Sequence, residues 1–159
     1  MRIAVGADHG GYPLKAHLAR HLGGLGHEVV DLGPDSGEEP VDYPHYGAMV
    51  GRAVADGRAD LGLCVCGTGI GIAIAANKVP GVYAAVVHDA TTGRLARQHN
   101  HANVVCIGAR VVGPEAALDA LDAFLDATPA PGRHARRVAM VAALDEGRAA
   151  SQAMEVTGR

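Results

Sequence analysis

Five short apolar runs alternate with longer segments of helical period along almost the whole chain. The runs are rich in Val and Ile and carry few charges, which is typical of parallel strands covered on both faces. The first segment between them repeats Leu14, Leu18 and Leu22 at helical spacing. This alternation predicts a doubly wound α/β domain, a Rossmann-like three-layer sandwich with helices on both faces of a five-stranded parallel sheet of order 2-1-3-4-5. The predicted strands span residues 2–5, 28–32, 61–66, 82–87 and 104–107.

Prolines, glycines and capping residues set the predicted helix ends. The chain has 159 residues, which suits one domain, predicted over residues 1–150. Residues 151–159 carry no pattern and are predicted to form a flexible tail. The predicted helices begin near Pro13, Pro44, Gly67 or Thr68, Asp89, Pro114 and Arg133, and the last of them runs to about Arg148.

Composition excludes several classes of partner. A formal net charge of −3 and the absence of Trp argue against nucleic acid, because the chain offers neither a basic surface nor an aromatic stacking platform. No apolar stretch approaches ~20 residues free of charge, so no membrane partner is expected. The chain begins with a strand-like run and not with a signal peptide. Cys64, Cys66 and Cys106 each lie in an apolar run and are expected to be reduced thiols of a cytoplasmic protein.

Two loops of unusual chemistry follow the first and third predicted strands. They are Gly6-Ala7-Asp8-His9-Gly10-Gly11 and Cys66-Gly67-Thr68-Gly69-Ile70-Gly71. In a doubly wound sheet, ligands bind at the carboxyl ends of the strands, beside the point where the strand order reverses. That point lies between the first and third strands, so the two loops are predicted to meet at a binding site.

Cys66 closes a strand and precedes a glycine-rich turn into a helix, where it could face backbone amides. A thiolate at such a place can act as a base or a nucleophile. The amides of Gly67–Gly71 could form a nest that holds an oxyanion. The turn matches neither the dinucleotide motif, since Ile72 stands where the third glycine belongs, nor a phosphate loop. A buried structural cysteine is the alternative for Cys66 and the expected role of Cys64 and Cys106.

Several further polar residues could have either a functional or a structural role. Asp8 and His9 suit contacts to sugar hydroxyls or a ring oxygen, but they could equally be a helix cap and a solvated histidine. His99 and Asn100 stand at a predicted helix end, where His99 could simply partner the helix C-terminus. Tyr43 alone fits packing better than function.

The last predicted helix carries a basic face. Arg133 and Arg137 are four residues apart and therefore share a face, which could clamp a phosphate or could simply be solvated. His134 and Arg136 are expected to point elsewhere. The nine histidines and three cysteines show no zinc-ligand spacing, so no metal is expected.

A set of ordered motifs spans residues 1–148. The motifs are Gly6-Ala7-Asp8-His9-Gly10-Gly11, Leu14-Lys15, Asp42-Tyr43-Pro44, Cys66–Ala73, Ala76-Asn77-Lys78, Arg97–Asn100, Gly108-Ala109-Arg110 and Gly132–Arg137. They resemble those of the type B ribose-5-phosphate isomerases, a family that includes allose- and galactose-phosphate isomerases. The chain is most similar to the subgroup with a cysteine base, because the other subgroup has Glu at the position of Ile72 and no Cys at position 66. One departure is His101, where many members have Asp.

The resemblance implies an aldose–ketose isomerase without a cofactor, with ribose 5-phosphate as the first candidate substrate. Cys66 would move a proton between C1 and C2 through an enediolate held by the amides of Gly67–Gly71 and by Thr68. His99, helped by Asp8, would open the furanose ring. The family is dimeric or larger, and helix 132–149 would pack on the partner subunit. The implied substrate contacts are Asp8, His9, Tyr43, Gly67, Thr68, Gly69, Ile70, Gly71, Asn100 and Arg110, with Arg133 and Arg137 supplied by the partner to hold the phosphate.

Other functions stay open from the sequence. The same isomerisation could act on a tetrose phosphate, allose 6-phosphate or galactose 6-phosphate, because pocket depth decides among these substrates. A non-catalytic phosphosugar-binding module on the same fold is a second class. A nucleotide-binding signalling domain would need an acidic cluster or a phosphate loop, and the sequence has neither.

Overall fold

Five parallel strands form one sheet in the computed structural model, which describes residues 1–145. The predicted tail and the last residues of the predicted final helix lie outside the described residues. The strands are β1 (Arg2–Ala7), β2 (Glu28–Asp31), β3 (Leu61–Cys66), β4 (Ala84–Val86) and β5 (Val104–Gly108). The helices are α1 (Tyr12–Gly24), α2 (Tyr43–Ala55), α3 (Ile70–Ala76), α4 (Ala90–Asn100), α5 (Pro114–Asp126) and α6 (Arg133–Asp145).

Two apolar layers cover the sheet, which confirms the predicted three-layer α/β architecture. On one face, Leu18 of α1, Ala96 of α4 and Phe124 of α5 belong to the same buried cluster. On the other face, Val50 of α2 and Ile72 of α3 pack on the strands. Strands β3 and β5 are buried along their whole length, as their apolar sequences predict for central parallel strands.

The strand order is β2-β1-β3-β5-β4, so the predicted order of the last two strands is wrong. The chain passes from β3 to the far edge, forms β4 there, and returns to insert β5 between β3 and β4. The physical reason is exposure: the three residues of β4 are only partly buried, whereas all five residues of β5 are buried. Short edge strands are the common solution to unpaired backbone groups.

Two asparagine side chains bond to the backbone at and just before β4. Asn77 donates from Nδ2 to the carbonyl of Ala84 and accepts the Ala84 N–H on Oδ1, each at 2.8 Å. Asn103 accepts the N–H of Tyr83 at 2.8 Å and donates to the carbonyl of Gly81 at 2.9 Å. These four bonds satisfy backbone groups that a neighbouring strand would otherwise satisfy, and they hold β4 at the edge.

The crossing of α4 and α5 depends on the absence of a side chain at Gly93, because a Cβ there would overlap the carbonyl oxygen of Ala120. Gly93→Ala is therefore expected to lower the free energy of unfolding by about 2 kcal/mol. Gly23→Ala in α1 is the matched control: its Cβ would meet nothing within 4 Å, and it should raise that free energy by about 0.5 kcal/mol. Urea unfolding measures both variants, and equal values for the two would contradict the packing assigned to Gly93.

Candidate active site

The turn after β3 holds Cys66 against a backbone amide. The N–H of Gly69 points at Cys66 Sγ at 3.1 Å, and the hydroxyl of Thr68 accepts the N–H of Ile70 at 3.3 Å. Gly69 has φ of 77°, a left-handed conformation that suits glycine. This residue delays the helix, so α3 begins at Ile70 and not at the predicted Gly67 or Thr68. A negative charge on the sulfur would thus meet a donor that is already in place.

The loop after β1 lies beside that turn, as the switch-point argument predicts. The N–H of Asp8 donates to the carbonyl of Val65 in β3 at 3.2 Å. The Asp8 carboxylate accepts the N–H of Gly11 at 2.8 Å. His9 Nδ1 lies 3.2 Å from the backbone nitrogen of Val41 and 3.3 Å from its carbonyl oxygen, so the backbone of Val41 holds the ring whichever of the two bonds Nδ1 makes.

Arg110 and Tyr43 complete this group of residues. The N–H of Arg110 donates to the carbonyl of Gly67 at 2.9 Å, and its guanidinium lies 3.6 Å from the place a Cβ would take on Gly67. The ring of Tyr43 lies 2.7 Å from the corresponding place on Gly71. We call the whole group the carboxyl-edge cluster, and its members are Asp8, His9, Tyr43, Cys66–Gly71 and Arg110.

A second group lines a cavity of about 570 Å³ between β4, α4 and α6. The rings of His99 and His134 stack with centroids 4.1 Å apart and an interplanar angle of 11°. Arg137 and Asn100 line the same cavity, and Arg133 Nε lies 3.4 Å from His134 Nε2. We call His99, Asn100, Arg133, His134 and Arg137 the amino-edge cluster. The expectation that His134 points away from the arginine face is wrong.

Positive charge concentrates in the amino-edge cluster. Desolvation lowers the pKa of His134, and the neighbouring charges of His99, Arg133 and Arg137 lower it further. The neutral ring of His134 is therefore favoured at neutral pH, which leaves the two guanidiniums as the permanent cations. Two guanidiniums close to two imidazoles and an amide are suited to hold a phosphate.

The two clusters lie at opposite ends of the strands. Helix α4 carries the chain back from the carboxyl end of β4 to the amino end of β5, where His99 lies. Cys66 is the register partner of Gly108 at the carboxyl end of β5. Gly108 lies four residues beyond Val104, the first residue of β5, and the two are therefore about 13 Å apart along the strand. The resemblance implied that a partner supplies only the two arginines. In this chain His99 and Asn100 lie with those arginines and away from Cys66 and Asp8.

Helix α6 packs on α4 of its own chain through the stack of His99 and His134. Ala143 is buried, whereas Val141 and Leu144 are about half exposed. The helix thus presents one face to its own domain and leaves an apolar face uncovered within residues 1–145.

Lys15 has no role predicted from the sequence, and its side chain is only 1% exposed. Its Nζ donates to both carboxylate oxygens of Asp31, at 2.7 and 2.9 Å, and to the carbonyl of Pro34 at 2.9 Å. These bonds hold the loop that leads to Val41 and so to His9. The signal was present in the sequence, since Lys15 lies beside Leu14 in the apolar stripe of α1.

Within residues 1–145, no three His, Cys, Asp or Glu side chains are grouped so that they could hold a metal ion. None of the helices described there has both the length and the apolar character needed to cross a bilayer.

Comparison with known proteins gives a family match over most of the chain. Residues 3–141 match the family described as Ribose/Galactose Isomerase. Ribose-5-phosphate isomerase B of Escherichia coli (strain K12) is 46% identical over 147 residues, which cover 92% of this chain and 98% of that protein. D-erythrulose-4-phosphate isomerase of Pectobacterium atrosepticum is 41% identical, over 87% of this chain and 91% of that protein.

Solved structures agree with the family match. Clostridium thermocellum ribose-5-phosphate isomerase B superposes with a TM-score of 0.91 at 47% identity, covering 92% of this chain and 99% of that chain. Ribose-5-phosphate isomerase B of Mycoplasma genitalium, solved with bound ribulose 5-phosphate, has a TM-score of 0.87 at 40% identity, covering 91% of this chain and 96% of that chain.

Proposed function

This chain belongs to the ribose/galactose isomerase family and is an aldose–ketose isomerase, and we propose that it interconverts ribose 5-phosphate and ribulose 5-phosphate with Cys66 as the base. The observation that carries the proposal is the Gly69 N–H at 3.1 Å from Cys66 Sγ, in a glycine turn at the switch point of the sheet. Relatives of similar length support the substrate, since one of them was solved with ribulose 5-phosphate bound.

The chemistry of the carboxyl-edge cluster fits proton transfer beside a carbonyl. The Cys66 thiolate takes the proton from C2 of the open-chain aldose and returns it to C1, by way of a cis-enediolate, while the hydroxyl proton on O2 moves to O1. The amides of Gly67–Gly71 and the hydroxyl of Thr68 stabilise the charge that develops on the two enediolate oxygens. The reaction needs no external oxidant or reductant, because the substrate is neither oxidised nor reduced overall. No cofactor is required.

The remaining roles belong to groups on both clusters. His99 opens the furanose ring, with Asp8 as the second ring-opening group. Arg133 and Arg137 bind the phosphate, and their binding energy comes from a part of the substrate remote from the reacting carbons. His9, Tyr43, Asn100 and Arg110 contact the sugar, together with the backbone around Ile70.

One chain cannot apply both clusters to one small substrate, because they lie at opposite ends of β5. We therefore propose that a second copy completes each site, so that the carboxyl-edge cluster of one protomer meets the amino-edge cluster of its partner. In a two-fold dimer this arrangement is reciprocal and forms two sites. A tetramer built from such dimers would keep the same pairing.

Exposed apolar side chains beside each cluster support this assembly. Ile70 and Ile74 on α3 lie beside the Cys66 turn and are 56% and 57% exposed, and Val141 and Leu144 lie on α6 beside Arg137. Apolar side chains grouped in this way mark surfaces that another protein covers. The occupant proposed here is a second copy, because only a second copy brings the missing cluster.

The reducing cytoplasm is the proposed location. Cys64, Cys66 and Cys106 are free and buried thiols, and a base of this kind must stay reduced to act.

A panel of sugar phosphates tests the proposed function. Ribose 5-phosphate is expected to give the highest kcat/KM, measured by NMR against erythrose 4-phosphate, allose 6-phosphate and galactose 6-phosphate. The rate should be unchanged after exhaustive treatment with EDTA. The relative named for erythrulose 4-phosphate makes a tetrose phosphate the second candidate, and a higher kcat/KM for that substrate would replace ribose 5-phosphate. Binding of all four without turnover would instead identify a non-catalytic phosphosugar-binding module.

A further inference from the structure

We infer that His101 is a positioning residue for the phosphate-binding arginines, which it orients through the linker in front of α6. The inference rests on the proposed function for the role of the arginines. His101 lies at the end of α4, and Arg133 and Arg137 lie at the start of α6. The two helices are connected in sequence only through β5 and α5, so their relative placement depends on contacts in space.

Two hydrogen bonds join the linker to the end of α4 at a single residue. Ala130 donates its N–H to the carbonyl of Gln98 at 2.9 Å, and its own carbonyl lies 2.9 Å from His101 Nε2. A carbonyl can only accept, so Nε2 carries the proton and donates. The neighbours of Ala130, Pro129 and Pro131, have no N–H, so in this stretch Ala130 is the residue that can both donate and accept a backbone hydrogen bond.

The backbone of His101 is adapted to this contact. His101 has φ of 52°, and it is the only residue other than glycine with positive φ within residues 1–145. This left-handed conformation ends α4, while the N–H of His101 donates to the carbonyl of Arg97 at 3.1 Å. Glycine adopts a left-handed C-cap at the least cost, and histidine is among the other residues found there. The side chain of His101 contributes beyond the cap, because glycine could not bond to the carbonyl of Ala130.

That contribution is the position of the first turn of α6. Ala130 lies three residues before Arg133, and the far end of the helix is held separately, by Ala143 in the core and by Asp145 accepting the N–H of Gly81 at 3.2 Å. Without the bond from His101, the linker keeps one hydrogen bond at Ala130, and the first turn of α6 is held on α4 only by that bond and by the stack of His134 on His99. The direction in which Arg133 and Arg137 point can then change. A phosphate site loses affinity when its two guanidiniums no longer converge.

Three substitutions separate positioning from stability. His101→Gly keeps the left-handed backbone and removes the donor, so the melting temperature should not fall. His101→Asn also tolerates that backbone, but its amide is too short to reach Ala130. His101→Gln places an amide nitrogen the same number of bonds from Cα as Nε2 and restores the donor. Two readouts are measured for each variant: the Kd for inorganic phosphate by calorimetry, and KM and kcat with ribose 5-phosphate.

For His101→Gly and His101→Asn we expect the phosphate Kd and the KM to rise about fivefold, with kcat within twofold of the wild type. His101→Gln should return both constants to within about twofold. An unchanged phosphate Kd in His101→Gly would overturn the inference, as would a Gln variant as weak as the Gly variant. A fall in kcat at constant KM would overturn it too, by placing His101 in the chemistry. The phosphate measurement decides the matter even if ribose 5-phosphate proves not to be the substrate.

Discussion

Cys66→Ala is expected to lower kcat for ribose 5-phosphate by about 10³-fold, the contribution typical of a positioned general base. The loss follows because Cys66 Sγ is the atom held against the Gly69 N–H, and alanine leaves no group there that can take the proton. KM should change little, since the phosphate contacts proposed for Arg133 and Arg137 remain. Iodoacetamide should inactivate the wild type, and ribose 5-phosphate should protect it.

Cys64→Ala is the matched control for this experiment. Cys64 lies two residues earlier in β3 and is fully buried, with Cys106 opposite it in β5. Its removal should lower the free energy of unfolding by about 1 kcal/mol and leave kcat within about twofold. A Cys66→Ala enzyme that keeps more than about a tenth of wild-type kcat would refute the assignment, because a tenfold loss corresponds to only ~1.4 kcal/mol of barrier.

Mixing two inactive variants is expected to restore activity if each site combines clusters from two chains. Cys66→Ala removes the base from one cluster, and Arg137→Ala weakens the other. When the two proteins are unfolded together in equal amounts and refolded, half of the dimers contain one chain of each kind. One site of each mixed dimer is then fully wild type and the other lacks both residues. The mixture should recover roughly a quarter of wild-type activity.

The choice of partners in the mixture shows which residues act together. His99→Asn mixed with Cys66→Ala should also recover roughly a quarter of the activity, because the two residues lie on different clusters. His99→Asn mixed with Arg137→Ala should recover nothing beyond the two variants alone, because both residues lie in the amino-edge cluster of one chain.

Each departure from this pattern has a definite meaning. Recovery in the His99 and Arg137 mixture would separate those two residues and contradict the cluster assignment. Failure of Cys66→Ala to recover with either partner, in refolded material that is dimeric and folded, would mean that each site belongs to a single chain.

The local elements of this fold follow closely from the sequence. The third strand was predicted at its observed bounds, residues 61–66, because five apolar residues and one glycine form an uncharged run between a charged and a glycine-rich segment. The starts of α2 near Pro44 and of α4 after Asp89 could also be predicted from the sequence. Proline suits the first turn of a helix, and Asp89 caps α4 by accepting the N–H of Thr92. Such signals act within a few residues of the chain.

Errors arise where two distant segments compete for one place. Residues 82–87 and 104–107 are both short and apolar, so the sequence does not say which forms the edge. The outcome depends on Asn77 and Asn103, whose side chains bond to the backbone at Ala84, Tyr83 and Gly81. The same limit applies to His134, whose side chain was expected to point away and instead stacks on His99.

By itself the sequence determined the α/β class, the two loops at the switch point and the identity of the chemical groups, because periodicity and motif spacing are local properties. Only the tertiary structure decided how those groups are divided. Cys66 is the last residue of a strand, and His99 lies in the last turn of a helix that runs antiparallel to it, so the two residues lie at opposite ends of the sheet. A one-dimensional order of motifs carries no sign of that separation, since it arises from the direction in which each packed element runs.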